Sequence, residues 1–206
     1  MTPSPTIPDS HDAAVFRSRF NAIAAVVVWS LCAVASAAAV VYAERDLVAY
    51  LTPLALVAFG AWMVLWNPSI AVDDDAVHLV NVTKTIEIPW PAVIQIDTRY
   101  ALTVQTPNRR YSAAAAPAPG RLTIARGGSD TGHLKLDGPA RPGDSPKTDS
   151  GAAAWLVRDR WNRLVEAGRI ELGVAESTPV LVRWHAASIA VCGALFAASV
   201  LALALS

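Results

Sequence analysis

Three stretches of this chain contain no charged side chain, and they constrain its fold more than any other feature of the sequence. They cover residues 22–42, 47–66 and 186–205. Each has the length of roughly 20 residues that a helix rising about 1.5 Å per residue needs to cross a hydrocarbon core of about 30 Å. Hydrophobic residues make up 53% of the chain and charged residues only 17%. The sequence therefore predicts three transmembrane helices and excludes a single soluble domain of ordinary composition.

The first two apolar runs are separated only by residues 43–46, so the two spans must run antiparallel. We predict a two-helix transmembrane hairpin over residues 21–66 and a third transmembrane helix within residues 184–206. A cleaved signal peptide is the alternative for the first run, because Arg17 and Arg19 precede it and an Ala-Ser-Ala triplet resembles a cleavage site. The apolar stretch continues beyond this triplet, which favours a span.

The orientation follows from the lysines and arginines that lie close to the ends of the spans. One side of the membrane receives only Arg45, and the other receives Arg17, Arg19, Lys84, Arg169 and Arg183. Because basic residues are retained inside, we predict a cytoplasmic N-terminal tail over residues 1–20, a cytoplasmic central segment over residues 67–183 and an external C-terminus. This topology corresponds to a multi-pass protein of the inner (plasma) membrane.

The central segment alternates apolar and polar residues, which is typical of half-buried strands. The alternating pairs are Ile70 with Val72, Val77 with Leu79, Ile86 with Ile88, Ile94 with Ile96, and Leu102 with Val104. Turn-forming residues separate the pairs at intervals of about 8 to 10 residues. We predict five or six short strands that form a small antiparallel β-barrel or sandwich, inserted between the hairpin and the third span.

Proline and glycine are concentrated in residues 113–150, and this composition predicts a mobile loop. Helical periodicity returns directly afterwards. One face of a helix over residues 151–168 would carry Val157, Trp161, Leu164 and Val165. Asp149 or Ser150 can cap this helix and Gly168 can terminate it. We expect the helix to close one end or face of the strand domain.

The order of these features resembles the bacterial pleckstrin-homology-like (PH-like) domain found in membrane proteins of actinobacteria. After the helical spans and the strands around an acidic turn, the resemblance lies in Pro89-Trp90 followed by Val93, Ile94 and Ile96. The later segment over residues 143–151 and the helix after it also resemble these proteins, through Arg158, Arg160, Trp161 and Arg163. The resemblance covers residues 20–185. It implies two packed antiparallel sheets that are capped by a C-terminal helix.

The acidic turn departs from the pattern of lipid-binding PH domains. Eukaryotic PH domains that bind phosphoinositides place Lys and Arg around the first strand turn, because phosphate needs several charge-assisted donors. Here that turn reads Asp73-Asp74-Asp75, which argues against a phosphoinositide site at this place. We predict a solvated turn, and a weak site for a hard cation such as calcium is the alternative.

Basic residues of the strand region form one candidate contact site, and a tryptophan forms another. If adjacent strands pair, Lys84, Arg99, Arg109 and Arg110 could converge on anionic lipid, each contributing about 1 kcal/mol near a charged surface. An ordinary mixed polar face is the alternative. Helical rotation places Trp155 on the polar side of the late helix, where an exposed indole could contact the membrane interface or a partner. Cover by the long loop is the alternative for Trp155.

The sequence predicts no catalytic, metal or cofactor site. Its histidines, His11, His78, His133 and His185, lack Cys, His, Asp or Glu at metal-ligand spacing. The Asp144-Ser145 dipeptide lacks the strand-to-helix elbow that exposes a catalytic serine. Seventeen basic residues balance 17 acidic residues, so the chain offers no field for nucleic acid.

We therefore predict a non-enzymatic integral membrane protein that presents a PH-like module at the cytoplasmic membrane face for protein contact, with lipid contact as a secondary role. Its partners would be the lipid bilayer, anionic lipid, and a membrane protein or a second copy of the chain. One alternative is a membrane enzyme subunit that uses the loop residues Asp130, His133, Asp137 and Asp144. Another is an accessory subunit of a transporter or membrane assembly, although no span contains a Lys, Arg, Asp or Glu.

Overall fold

The computed structural model describes residues 13–42, 47–98, 101–117, 148–171 and 173–205. The helices within these residues are α1 (Arg19–Tyr42), α2 (Leu47–Ala61), α3 (Asp149–Glu166) and α4 (Ala186–Leu205). The strands are β1 (Ala14–Phe16), β2 (Ser69–Val72), β3 (Ala76–Val80), β4 (Lys84–Pro89), β5 (Gln95–Asp97), β6 (Ala101–Gln105), β7 (Arg110–Pro117) and β8 (Leu181–Trp184). A π-helical turn over Trp62–Trp66 continues α2, and a 3-10 turn covers Trp90–Ala92.

The chain divides into two compact units. The sheet unit consists of Met1–Ser18, Ser69–Asn81 and Thr85–Arg183. The helical unit consists of Arg19–Pro68, Val82–Lys84 and Trp184–Ser206.

Helices α1, α2 and α4 form the helical unit, in which α2 contacts both of the others. Trp29 links the first two helices: its Nε1 donates to the carbonyl oxygen of Ala58 at 3.0 Å, and its ring centroid lies 5.4 Å from that of Trp66. Among the described residues, the helices long and apolar enough to cross a membrane are Arg19–Tyr42, Leu47–Trp66 and Ala186–Leu205. The three long apolar helices expected from the sequence are therefore present, and the first begins at Arg19 rather than at residue 21.

Two antiparallel sheets form the sheet unit. The strand order is β1-β2-β3-β4-β8 in the first sheet and β5-β6-β7 in the second. In the first sheet Ile70 lies opposite Leu79, and Val77 lies opposite Ile88. These registers confirm the antiparallel strands that alternation predicted. Nine of the ten residues in the predicted alternating pairs are buried. The exception is Ile94, which is 50% exposed and lies just before the start of β5.

A short strand precedes α1. Strand β1 pairs with β2, so that Ala14 lies opposite Val72 and Phe16 lies opposite Ile70. The predicted tail over residues 1–20 therefore contains a strand at Ala14–Phe16, and its residues 1–12 lie outside the described part of the chain. Three residues carry too little periodicity to predict a strand, and the partner strand follows only after the whole α1–α2 hairpin.

The two sheets and α3 share one hydrophobic core. Its largest fully buried side chains include Trp90, Ile70, Leu79, Ile86, Ile88 and Leu102. Strand β7 and helix α3 meet through small residues, since Ala113, Ala115, Ala153 and Ala154 are all buried. The predicted inner face of α3 is confirmed by the buried Val157.

Asn81 joins the two sheets at the end of β3. Its Nδ2 donates to the carbonyl oxygen of Ser112 at 2.9 Å, and its Oδ1 accepts from the backbone N–H of Ala114 at 2.7 Å. The amide side chain therefore bonds to β7 in the way that a neighbouring strand backbone would.

Helix α3 starts earlier and ends earlier than predicted. Thr148, rather than Asp149 or Ser150, is the N-cap, and its side chain accepts from the backbone N–H of Gly151 at 3.1 Å. The helix ends at Glu166, and Gly168 follows in the left-handed region at φ 67° as a C-terminal cap. The predicted termination by Gly168 is therefore confirmed.

The segment predicted as a mobile loop, residues 113–150, is structured at both ends. Strand β7 continues to Pro117, and α3 already includes residues 149 and 150. An alanine run inside a strand gives no alternation signal, which is why residues 113–117 were assigned to the loop rather than to a strand. Residues 118–147 lie outside the described part of the chain.

Candidate functional site

A buried polar cluster lies at the turn between β2 and β3. Asp73 Oδ1 accepts from the backbone N–H of Asp75 at 2.9 Å and from that of Ala76 at 2.8 Å. Its Oδ2 lies 2.8 Å from Nε2 of His78. Trp90 Nε1 donates to the carbonyl oxygen of Asp73 at 3.0 Å. Asp73, His78 and Trp90 are all buried, so protein groups take the place of water around this carboxylate.

The hydrogen bonds of Asp73 determine how its carboxyl group titrates. Burial alone would raise its pKa, because a buried carboxylate loses its hydration. The N–H groups of Ala76 and Asp75, together with His78, outweigh burial and lower the pKa of Asp73 below its ordinary value of 3.8. Asp73 is therefore an ionised structural group that holds the turn together.

Asp74 forms ion pairs with two arginines of the sheet unit, Arg160 on α3 and Arg169 just after its C-terminal cap. Its Oδ2 accepts from Arg169 Nη1 at 2.6 Å, and its Oδ1 lies 2.5 Å from Arg160 Nη2. The hydrogen bond from Arg169 and the charge of Arg160 outweigh partial burial and lower the pKa of Asp74. The same contact raises the pKa of Arg169. The turn is thereby connected both to α3 and to the residues that follow its C-terminal cap.

These contacts correct the prediction of a solvated acidic turn. Asp73 is buried and Asp74 is ion-paired, so that Asp75 alone of the three is exposed. Within the described ranges, no group of three or more His, Cys, Asp or Glu is arranged to hold a metal ion. The two arginines that reach the turn are already bound to Asp74, which leaves them unsuited to hold a phosphate.

The residues predicted to contact lipid or a partner lie in separate elements. Arg109 and Arg110 are exposed at the β6–β7 turn, and Thr106 closes this turn by donating its N–H and its hydroxyl to the Arg109 carbonyl at 2.9 Å each. Trp155 lies on α3 and is 61% exposed. Arg99 lies outside the described residues.

Lys84 belongs to the helical unit and contacts an aromatic ring there. Its Nζ lies 5.3 Å from the ring centroid of Trp184, a distance at which an ammonium group is attracted to the π face of an indole. The backbone N–H of His185 donates to the carbonyl oxygen of Thr83 at 2.8 Å, so the residue after Trp184 is fixed beside the residue before Lys84. We call Lys84 and Trp184 the lysine–tryptophan pair.

The helical unit also contains an open groove of about 450 Å³ between α1 and α2. Its lining residues are Trp29, Cys32, Ala33, Ser36, Leu51, Leu54, Ala55 and Ala58. This lining is almost entirely apolar and contains no carboxylate, histidine or lysine. The loop residues considered for the enzymatic alternative, Asp130, His133, Asp137 and Asp144, lie outside the described residues.

Sequence reasoning did not find the Asp73–His78 contact, although a signal for it exists. In the β2–β3 register Ala71 lies opposite His78. Successive side chains of a strand alternate between faces, so Asp73 shares the face of Ala71 and points toward His78. An acidic residue at the end of one hairpin strand and a histidine on the same face of the other would have predicted this pair. The lysine–tryptophan pair has no such local signal, because its members are distant in sequence.

The architecture now permits the protein to be placed in a class. Two antiparallel sheets with a helix packed on their shared core are what the resemblance to PH-like domains implied. A family model described as "Bacterial PH domain" matches residues 67–140. This chain therefore contains a bacterial PH-like domain over these residues. The comparisons with curated proteins and with solved structures gave no match.

Proposed function

We propose that this protein is a non-enzymatic integral membrane protein whose apolar helices hold a PH-like module at the cytoplasmic membrane face. The module would serve mainly for contact with a membrane protein or a second copy of the chain, and secondarily for contact with anionic lipid. PH-like folds act as recognition modules in many proteins, and this part of the proposal rests on that analogy.

The pairing of β1 with β2 is the observation that best supports this proposal. The two strands flank the α1–α2 hairpin in sequence, yet Val15 lies directly opposite Ala71 in one sheet. If α1 enters a membrane, the chain must return to the side it left before β2 can pair with β1. A two-span hairpin meets this requirement, whereas a single crossing does not.

The connections between strands and apolar helices are short. Arg17 and Ser18 connect β1 to α1, Asn67 and Pro68 follow the π-helical turn before β2, and His185 alone connects β8 to α4. Two extended residues span at most about 7 Å. Once the helices are inserted, links of this length would keep the module at the membrane surface, where it would meet its partners.

The cytoplasmic side is proposed from the distribution of charge. Arg17 and Arg19 precede α1, and Lys84, Arg169 and Arg183 lie in the segment between the second and third spans. Basic residues close to span ends are retained in the cytoplasm. The exposed side chains of Arg109, Arg110 and Trp155 are the surface positions that we propose for contact with a partner.

Cysteine labelling in cells tests the topology. In a Cys32→Ala/Cys192→Ala background, Asn108→Cys should react with a membrane-impermeant maleimide only after the cells are permeabilised, whereas Ser206→Cys should react in intact cells. Labelling of Asn108→Cys in intact cells would place the module outside and contradict the proposal. Photo-crosslinking from position 155 or 109 then tests contact, and we expect a crosslinked product in membranes that is absent when the probe replaces the buried Val157.

A further inference from the structure

We propose that the lysine–tryptophan pair is a membrane-surface anchor, in which the Trp184 indole lies among phospholipid headgroups and Lys84 binds an anionic lipid phosphate. This inference rests on the proposed membrane insertion and adds the partner of one surface. It concerns the helical unit alone. The occupant of the surface is the headgroup layer of the bilayer.

Trp184 has the exposure and the position that an interfacial anchor requires. It is 64% exposed, whereas Trp90 in the core of the sheet unit is 1% exposed. Only His185 separates it from α4, whose side chains remain exposed and apolar along the helix, for example Ile189, Phe196 and Leu203. The apolar surface of the span therefore continues to the indole. Tryptophan is favoured at this boundary because its ring is apolar and its N–H can bond to water or a headgroup.

Lys84 supplies the charge beside this ring. No described carboxylate forms an ion pair with Lys84, and its ring contact with Trp184 leaves the ammonium donors available to an anion. A lysine next to an apolar surface extends its aliphatic stem along that surface and keeps its charge in the polar layer. The chemistry that fits both members of the pair is a phosphate at the apolar boundary, which is the structure of a phospholipid headgroup.

The backbone holds the pair in place. The hydrogen bond from the His185 N–H to the Thr83 carbonyl, 2.8 Å long, joins the two chain segments that carry Lys84 and Trp184. The Ile189 N–H donates to the His185 carbonyl at 3.0 Å, so the same residue begins the hydrogen bonding of α4. The depth at which α4 lies in a membrane therefore also sets the depth of the lysine–tryptophan pair.

Spin-label accessibility of the full chain tests the position of the pair. In the Cys32→Ala/Cys192→Ala background, single labels are placed at Trp184→Cys, at Val200→Cys within α4 and at Asn162→Cys on the exposed polar face of α3. The protein is reconstituted in vesicles of phosphatidylcholine and phosphatidylglycerol. Collision with oxygen, which is enriched in lipid, is compared with collision with a water-soluble nickel chelate. We expect the label at position 184 to lie between the aqueous label at 162 and the hydrocarbon label at 200.

Other patterns of label accessibility would overturn the anchor, the membrane insertion or the lipid occupant. If the label at 184 is as accessible to nickel as the label at 162 while the label at 200 is in hydrocarbon, the anchor is wrong and membrane insertion stands. If the label at 200 is also accessible to nickel, the proposed membrane insertion is wrong and the anchor falls with it. If the label at 184 is shielded from both oxygen and nickel, a protein covers the surface and the lipid occupant is overturned.

Lys84 is tested separately with spin-labelled lipids. We expect Lys84→Gln to lower the preference of the reconstituted protein for phosphatidylglycerol over phosphatidylcholine by about fivefold, the effect of one basic residue near a charged surface. Lys84→Arg keeps the charge and should retain the preference. An unchanged preference in Lys84→Gln would contradict phosphate binding by this residue, and thermal unfolding of the same variant checks that the fold is intact.

Discussion

The β2–β3 and β6–β7 hairpin turns of the sheet unit differ in how their charged side chains are bonded. At the β2–β3 turn, Asp73 is bonded to Asp75, Ala76 and His78, and Asp74 binds Arg160 and Arg169. At the β6–β7 turn, Thr106 closes the backbone, while the side chains of Arg109 and Arg110 remain exposed. Charge at the first turn stabilises the fold, and charge at the second remains available for contact.

This difference bears on where a PH-like module of this kind can recognise a partner. Phosphoinositide-binding PH domains place their basic ligand-binding residues around the first strand turn. In this protein the polar groups of the corresponding turn are bonded within the protein. A ligand there would have to displace buried hydrogen bonds, each costly to leave unmade. If the sheet unit binds a partner as proposed, exposed groups such as Arg109, Arg110 and Trp155 are better placed for the contact, because no buried hydrogen bond would have to break.

Removal of the Trp90 side chain, which donates to the β2–β3 turn, should cause the largest loss of stability. Trp90→Ala deletes a ring that is 1% exposed and a donor to the Asp73 carbonyl, so we expect the free energy of unfolding to fall by about 3–5 kcal/mol. Urea unfolding of the full chain in micelles, followed by near-ultraviolet circular dichroism, measures this loss. Trp90→Phe keeps most of the ring and should lose only about 1–2 kcal/mol. Equal losses in the two variants would contradict a role for packing.

Neutralising Asp73 should have the next largest effect and should change the response to acid. Asp73→Asn removes the charge that accepts from His78 and two backbone N–H groups, so we expect a loss of about 2 kcal/mol near neutral pH. Asp75→Asn, at the exposed position of the same turn, is the matched control and should change stability little.

The sign of the acid response follows from the lowered pKa of Asp73. A carboxyl group with a lower pKa in the folded state stabilises the protein above its unfolded pKa, and this stabilisation disappears as pH falls through the folded value. The unfolding temperature of the native protein should therefore decrease below pH 3.8, and the decrease should be smaller in Asp73→Asn. The same acid response in both proteins would show that the turn does not depend on this ionised group.

Straining the C-terminal cap of α3 should have a smaller effect. Gly168 has φ 67°, and a Cβ built there meets no atom within 4 Å, so the cost of Gly168→Ala comes from backbone conformation alone. We expect a loss of about 1 kcal/mol in urea unfolding. Gly168→Asn should cost less, since asparagine tolerates the left-handed region. Loss of the cap should also weaken the contact of the next residue, Arg169, with Asp74, which a double-mutant cycle with Asp74→Asn would detect as coupling.

Removing the charges of the β6–β7 turn should have the smallest effect on stability. Arg109→Gln/Arg110→Gln removes two exposed charges without ion pairs among the described residues, so the free energy of unfolding should change by no more than about 0.5 kcal/mol. Arg158→Gln removes one arginine charge that is bonded within the fold, and it serves as the contrast: Arg158 Nη2 donates to the carbonyl oxygen of Ile96 at 3.0 Å, so this variant should destabilise the protein. A large loss in the double variant would remove the contrast between the turns.

The long elements and the buried faces could be predicted from the sequence because their signals are local. Uninterrupted apolar runs gave the three long helices, and alternation at Val77 with Leu79 and at Ile86 with Ile88 identified side chains that are now buried. The position of Val157 on α3 followed from helical periodicity alone. These features depend on residues a few positions apart, which one sequence contains in full.

The candidate sites were less predictable because they depend on residues brought together from distant parts of the chain. Arg160 and Arg169 reach Asp74 only after the two sheets and α3 have packed. Lys84 meets Trp184 across nearly half the sequence, and β1 requires β2 from beyond the hairpin. Composition marked Asp73 as a polar turn residue, but only the strand register places it against His78.

The pairing of β1 with β2 also fixes an order of events during synthesis. Strand β1 leaves the ribosome first, and its partner is made only after both helices of the hairpin. Under the proposed topology, the nascent chain must deliver these helices to the translocation machinery before its first strand has anything to pair with. Biogenesis would therefore proceed from insertion to closure of the sheet, and a chain stalled between the two would carry an unpaired strand that proteases and chaperones can recognise.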